Sequence, residues 1–347
     1  MGGSAGITFS LVDLNTLGGS TSEARAISDA GYVTGNADIP SGSTHAFLWD
    51  AQGGLRDLGT LWKNQSGVFQ GDSYGYGVND AGVVVGEAAV NETYKGLPVS
   101  HAYLFNQGTL RDIGGPVGGT NTLGGKNSRA NAINTAGTVV GAAQAVGDGY
   151  HAFRYDGAGP MTDLDAKGQI LSAVAINDAG VIAGNSVDTA FVFANGAWQS
   201  LGVPPGFTTS RALGLSSFGD VAGFVSNGQG TPTTPAMNIE GTWYLLSPYL
   251  PDTEARINSL NFADTAIGVS RILGSSDPDR LVFFQGVIQG NVFDLATLVL
   301  PMGQLIQAAN AINASDRIAG KANHHACILV PIPRRWRYFA EPALLKI

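Results

Sequence analysis

Short apolar stretches recur along the whole chain, each broken by glycine, aspartate or asparagine after a handful of residues. One unit repeats. A small-residue stretch ending in Ala-Ile-Asn is followed by Asp-Ala-Gly, a β-branched stretch closed by glycine, His-Ala-Phe and then Leu-Arg-Asp-Leu-Gly. Asp-Ala-Gly (Asp29–Gly31, Asp80–Gly82, Asp178–Gly180) supplies turn formers and a residue that tolerates positive φ, as a short hairpin needs. The stretch after it (Val83–Gly86, Thr138–Gly141, Val181–Gly184) reads as a packed strand, with the terminal glycine admitting a neighbouring backbone. Aromatics two residues apart, as in His45-Ala-Phe-Leu-Trp49, His101-Ala-Tyr-Leu-Phe105 and His151-Ala-Phe-Arg-Tyr155, share one sheet face, which is expected to pack on the next blade. The charged Leu55–Gly59 and Leu110–Gly114 pieces suit an outer edge.

Seven small-residue strands start near Glu23, Tyr74, Arg129, Ser172, Arg211, Arg256 and Ala308. A period of roughly 40 to 50 residues with four strands per copy predicts an all-β, seven-bladed β-propeller with four-stranded blades. The seventh copy stops after its third strand, His325–Leu329, while Ile7–Leu14 matches the missing fourth. The N-terminal strand is therefore expected to complete the last blade and close the ring. The expected organisation is a tag-like, disordered start at 1–6, a single propeller at 7–330 and a C-terminal tail at 331–347.

Composition narrows the function classes. Glycine is abundant at 49 residues and charged residues scarce at 13%, as suits many strands joined by tight turns. The net charge of -8 argues against nucleic acid held by bulk electrostatics. The single cysteine, Cys327, excludes an internal disulfide and a cysteine-built zinc site. No apolar run reaches the roughly 18 residues that span a bilayer, and the MGGSAG start lacks the regions of a signal peptide. No motif indicates calcium or an organic cofactor, so none is expected.

The units at 45–50 (His-Ala-Phe-Leu-Trp-Asp), 55–61 (Leu-Arg-Asp-Leu-Gly-Thr-Leu) and 175–184 (Ala-Ile-Asn-Asp-Ala-Gly-Val-Ile-Ala-Gly) closely resemble the bacterial HAF extracellular repeat family. The likeness runs over about residues 7 to 330 and is weakest in blades 5 and 6. It implies an exported bacterial protein, secreted or held at the cell surface after removal of a leader. It implies no general activity. Family members often end in a sorting tail; here 331–347 carries Arg334, Arg335 and Arg337 without that order of features.

Three groups of residues invite chemistry. Four of seven His-Ala positions keep histidine (His45, His101, His151, His325). Equivalent positions lie far apart around a propeller, whereas metal ligands must meet at one ion, so these are expected to be structural and no metal is expected. Gly71-Asp72-Ser73 invites comparison with the nucleophile block of lipases and esterases. Ser22, Ser128 and Ser210 occupy the same place in other copies, however, which favours a backbone-bonding role.

The third group is the start of the inner strands. Superposed copies put Glu23, Tyr74, Arg129, Ser172, Arg211, Arg256 and Ala308 at one position, with Arg25, Tyr76, Asn131, Val174, Leu213, Asn258 and Asn310 two residues on. Arginines and tyrosines should thus ring one channel mouth. Guanidinium groups match carboxylate, sulfate or phosphate, and tyrosine faces stack on sugars. Glu23, Arg25, Tyr74, Arg129, Asn131, Arg211 and Arg256 are the candidate ligand-binding residues. Pairing of the arginines with Glu23, Glu254 or loop aspartates is the structural alternative. The same face should carry connections at 61–72, 90–100, 115–127 and 295–307, the last apolar enough to cover the mouth or meet a partner.

The leading expectation is a monomeric binding or scaffold module for an anionic polysaccharide or a cell-surface partner. A lyase would use Arg129 to neutralise a uronate and Tyr74 or Tyr76 to move the proton. An esterase would use Ser73.

Overall fold

The computed structural model describes residues 7–115, 123–147, 149–165, 168–228, 231–249, 251–261, 265–272, 279–285 and 291–332. The expected start at 1–6 and tail residues 333–347 lie outside the described residues. The described residues form seven sheets, six of them four-stranded, antiparallel and in simple sequential order. The inner strands are Ser22–Ile27, Ser73–Val78, Gly124–Ile133, Ser172–Ile176, Thr209–Leu215, Glu254–Leu260 and Ile306–Ile312. Their far ends converge around one cavity, so the sheets form a ring and the fold is a seven-bladed β-propeller.

Closure follows the predicted route. Thr8–Asn15 pairs antiparallel with His325–Ile332, from Thr8 opposite Ile332 to Asn15 opposite Ala326. Both ends of the ring therefore share one sheet, which leaves no frayed seam. The last blade is nevertheless five-stranded, because Val299–Leu300 adds a short parallel strand outside Thr8–Asn15. Its apolar neighbours explain this: Leu295, Leu298 and Val299 are buried in a cluster with Phe9 and Phe283. The apolar connection expected over the channel mouth or a partner instead seals the outer edge of blade 7. Likewise 90–100 is not a loop. Val84–Tyr94 and Leu97–Asn106 prolong the second blade into a long hairpin, turned by Lys95 and Gly96 at φ 51° and 78°.

Each part of the repeat has a mechanical role. The glycine closing the second strand is required by contact: a Cβ at Gly86 would stand 1.8 Å from the Tyr74 carbonyl oxygen. Gly35, Gly141, Gly223, Gly268 and Gly320 meet the equivalent carbonyl at 2.0 Å. The aromatic face packs on the preceding blade rather than the next. Phe47 lies with Ile328 and Ala319, Tyr103 with Leu48 and Leu58, and Phe153 with Val85 and Ile113. Blade order along that face is thus opposite to the expectation, although one shared face is correct.

The histidines are structural. Nδ1 of His45, His101, His151 and His325 meets Asp57, Asp112, Asp163 and Asp13 on the adjoining outer strand at 2.8–3.0 Å. His-Ala-Phe and Arg-Asp-Leu are therefore two halves of one cross-strand contact. In blade 6, Arg280 replaces histidine and still pairs with the matching aspartate, Asp294, at 3.6 Å. Among the described residues no group of three metal-ligating side chains gathers. The serines join blades: Ser73 Oγ accepts from Ala46 N and donates to Gly59 O, and Ser22, Ser128 and Ser210 accept from Ala326, Ala102 and Ala190.

The Ala-Ile-Asn asparagines form a chain around the far end of the channel. Asn79 donates to Asn134 O, Asn134 to Asn177 O and Asn177 to Ser216 O, at 3.1–3.2 Å. Asn261 donates to Asn313 O and Asn313 to Ser28 O, both at 3.0 Å. Where the copy carries serine instead, at Ser28 and Ser216, no side-chain amide continues the chain.

Candidate functional site

The opposite end of the channel is built from the starts of the inner strands, and strand register confirms which residues are equivalent. Glu23, Tyr74, Arg129, Ser172, Arg211, Arg256 and Ala308 each stand one residue before the partner of the recurring glycine. Two residues on, register slips in every inner strand, at Arg25, Tyr76, Asn131, Val174, Leu213, Asn258 and Asn310. An extra residue in one strand of a pair is a β-bulge, a device that re-aims side chains. Seven bulges at one level thus place a second ring of side chains at the mouth. The bulges left no mark in the sequence, where the two-residue spacing looks like ordinary strand alternation.

Blades 1 to 3 carry the densest part of this ring. The Arg25 and Arg129 guanidinium carbons both lie 5.6 Å from the centroid of the Tyr76 ring. Tyr74 stacks beside Tyr76, with centroids 6.3 Å apart and planes 11° apart. The Tyr76 hydroxyl donates to Glu87 Oε1 at 2.7 Å. Burial, with the neighbouring Glu87 carboxylate, pushes the Tyr76 hydroxyl far above the usual phenol range. Burial and then Asp72 raise Tyr74 as well. Both tyrosines are therefore neutral hydrogen-bonding and stacking groups at physiological pH.

The arginines decide what the mouth does. Arg25 Nε donates to the neutral Asn36 amide oxygen at 2.6 Å, and Arg256 Nε to Asn258 at 3.3 Å. Arg211 donates to the carbonyls of Ser186 and Val187. Arg129 is exposed and rests on the Tyr76 ring. None of the four forms an ion pair among the described residues, whereas Arg56, Arg154, Arg271 and Arg280 all do. The carboxylates expected to neutralise them are engaged elsewhere: Glu254 holds Arg271, and Glu23 accepts from Asn310 at 2.8 Å.

Two other predicted residues have structural work. Asn131 donates its amide to Ser172 Oγ and Ala173 O at 3.1 and 2.8 Å, joining blade 3 to blade 4. Ser73 is wholly buried, with its hydroxyl engaged in the bonds to blade 1 described above, so a substrate carbonyl has no path to it. Cys327 is also buried, which pushes its thiol up to about 12 and leaves it inert.

Tyr150 belongs to the mouth and sequence reasoning missed it. It precedes His151 on the third strand of blade 3, at a place the repeat does not single out, and is 41% exposed. Burial and the nearby Glu87 charge raise its hydroxyl. The cross-strand partners of the ring, Glu87 opposite Tyr74 and Lys321 opposite Ala308, were likewise legible only once register was known.

No family model matches the chain, and no curated protein matches it. The resemblance to the HAF family rests on its motifs. Solved structures are similar to the chain. The extracellular domain of a hybrid two-component system from B. thetaiotaomicron matches with TM-score 0.53 and 10% identity, over 93% of this chain and 39% of that one. A puromycin-hydrolysing peptidase from Mycobacterium tuberculosis matches with TM-score 0.48 and 14% identity, over 86% of this chain and 48% of that one. The chain therefore spans less than half the length of either. At its identity the B. thetaiotaomicron likeness is one of fold. No helix among the described residues is long and apolar enough to cross a membrane.

Proposed function

We propose that the protein is a binding module, monomeric and secreted or held at the cell surface, that takes an anionic glycan on its arginine mouth. One observation carries the reading: Arg25, Arg129, Arg211 and Arg256 converge on one mouth of an acidic protein, and among the described residues no carboxylate pairs with any of them. The exposed Arg129 guanidinium, without an ion pair among the described residues, offers a planar pair of donors to a carboxylate or sulfate, and Tyr74, beside the arginine-covered Tyr76, offers a ring to a sugar. The extracellular neighbour in B. thetaiotaomicron is in keeping with a place outside the cell.

Binding is favoured over elimination by the state of the tyrosines. A lyase base must accept a proton near neutral pH, and burial beside Glu87 holds Tyr76 protonated. Affinity should accordingly stay flat between about pH 9 and 11, the range in which a tyrosine of ordinary pKa, about 10, would ionise and repel the ligand.

A screen against alginate, pectate, hyaluronan, dextran sulfate and neutral dextran tests the proposal, scored for retention and for ultraviolet-absorbing or reducing products. Acidic polymers should be retained in a salt-sensitive way, without products. Equal retention of neutral dextran, or none of any acidic polymer, would sink it.

A further inference from the structure

The mouth is not uniform around its ring. On the side of blades 2 to 4 two cavities open beside it. One, of ≈ 450 Å³, is lined by Glu87, Ser100, Asn127, Arg129, Tyr150 and Ser172. The other, of ≈ 550 Å³, is lined by Trp62, Asp72, Tyr74, Asn91, Glu92 and Ser100. Ser100 belongs to both walls, and Tyr74 of one cavity lies directly across the strand pair from Glu87 of the other. The two are therefore adjoining compartments of one groove. Each falls in the size range of small-ligand pockets, roughly 300–1,000 Å³.

Their chemistry differs in a directed way. The first holds the exposed Arg129, which has no ion pair among the described residues, and the half-exposed ring of Tyr150. Serine hydroxyls and the Glu87 carboxylate stand beside them. The second holds an aromatic face, Trp62, and two carboxylates, Asp72 and Glu92. Lys126 meets Glu92 at 3.2 Å, and Asp72 accepts from Thr44 N at 2.9 Å. Glu87 in the first cavity accepts from the Tyr76 hydroxyl at 2.7 Å and shares that cavity with the cationic Arg129, whereas no cation pairs with Asp72 among the described residues; the second cavity therefore repels a second anion and suits a sugar that presents hydroxyls to acceptors around an aromatic ring.

We infer that the two cavities are consecutive subsites for an oligosaccharide in which a hexuronate at Arg129 and Tyr150 adjoins a neutral sugar against Trp62. The inference rests on the anionic-glycan reading above and sharpens it from charge to sequence of sugars. Spacing along the groove, rather than total negative charge, then selects the ligand.

Calorimetry with three tetrasaccharides separates the alternatives: hyaluronan tetrasaccharide, in which uronate and neutral sugars alternate, tetragalacturonate and neutral chitotetraose. The alternating ligand should bind at least about tenfold tighter than either of the others, as one additional charge-assisted hydrogen bond or one avoided repulsion would give. Arg129→Ala should abolish its advantage over chitotetraose. Trp62→Ala should weaken it about threefold to tenfold, and Trp62→Phe, which keeps a ring and guards against a folding defect, should restore most of that loss. Tetragalacturonate binding as tightly as the alternating ligand, or indifference to Trp62→Ala, would overturn the inference. If none of the three binds while dextran sulfate or alginate is retained in the polymer screen, the subsites fall and the mouth reading stands. If no acidic polymer binds, both fall.

Discussion

The two mouths of the channel are made from the two ends of the same inner strands, yet they are built on opposite logics. At the asparagine mouth five of the seven copies carry the same residue, and each of those side chains reaches the backbone of the next blade. At the arginine mouth the copies differ, and among the described residues the strongest charges are left without a counter-charge. A buried amide that bridges blades serves any propeller, so the repeat retains it. Arg129 and Arg256 are exposed and have no ion partner among the described residues, so they add little to stability, and their place at one mouth points outward to a ligand.

Substitutions can break this comparison, and the largest effect should come from the backbone that carries both mouths. Gly86→Ala places a methyl group against the Tyr74 carbonyl oxygen and should cost roughly 3 kcal/mol or more in urea unfolding. Next is Asn134→Ala at the asparagine mouth. It removes the bond to Asn177 O and leaves Thr138 N without its acceptor, for a loss of about 1–3 kcal/mol. Its glycan affinity should be unchanged; a parallel loss of affinity would show that the two mouths are not separable. Ser73→Ala should cost about 1 kcal/mol through the lost joint to blade 1, with no effect on any esterase assay and no change in fluorophosphonate labelling. Smallest is Arg129→Ala, which should move stability by no more than about 0.5 kcal/mol while weakening ligand binding.

The scaffold was legible in the sequence because its contacts recur. Histidine and aspartate, serine and alanine, glycine and carbonyl are each repeated partners, and repetition turns a contact into a pattern even when the partner is unknown. The direction of packing was not legible, since the aromatic face is the same whichever neighbour it meets. Neither was the fifth strand of blade 7, because Val299–Leu300 occurs once and its apolar residues are equally suited to a lid. For the site, the ring positions were readable from superposed copies, but the state of each arginine was not. Glu254 was an available partner for any of them in the sequence, and only the fold brings it to Arg271. Tyr150 escaped for the converse reason: its neighbour His151 is the repeated residue, and the tyrosine beside it is particular to blade 3.

The decisive measurement is the affinity of the wild-type protein and of the Arg25→Ala/Arg129→Ala double variant for an acidic polysaccharide over a range of salt, with unfolding midpoints taken on the same samples. The account predicts that the wild type binds with a marked salt dependence, and that the double variant loses both affinity and salt dependence while its midpoint falls only slightly, by the lost Arg25–Asn36 bond and the two contacts with the Tyr76 ring. Undiminished binding by the double variant, or an equal loss in an Arg56→Ala/Arg154→Ala control, on the outer strand of blade 1 and the third strand of blade 3, would contradict it.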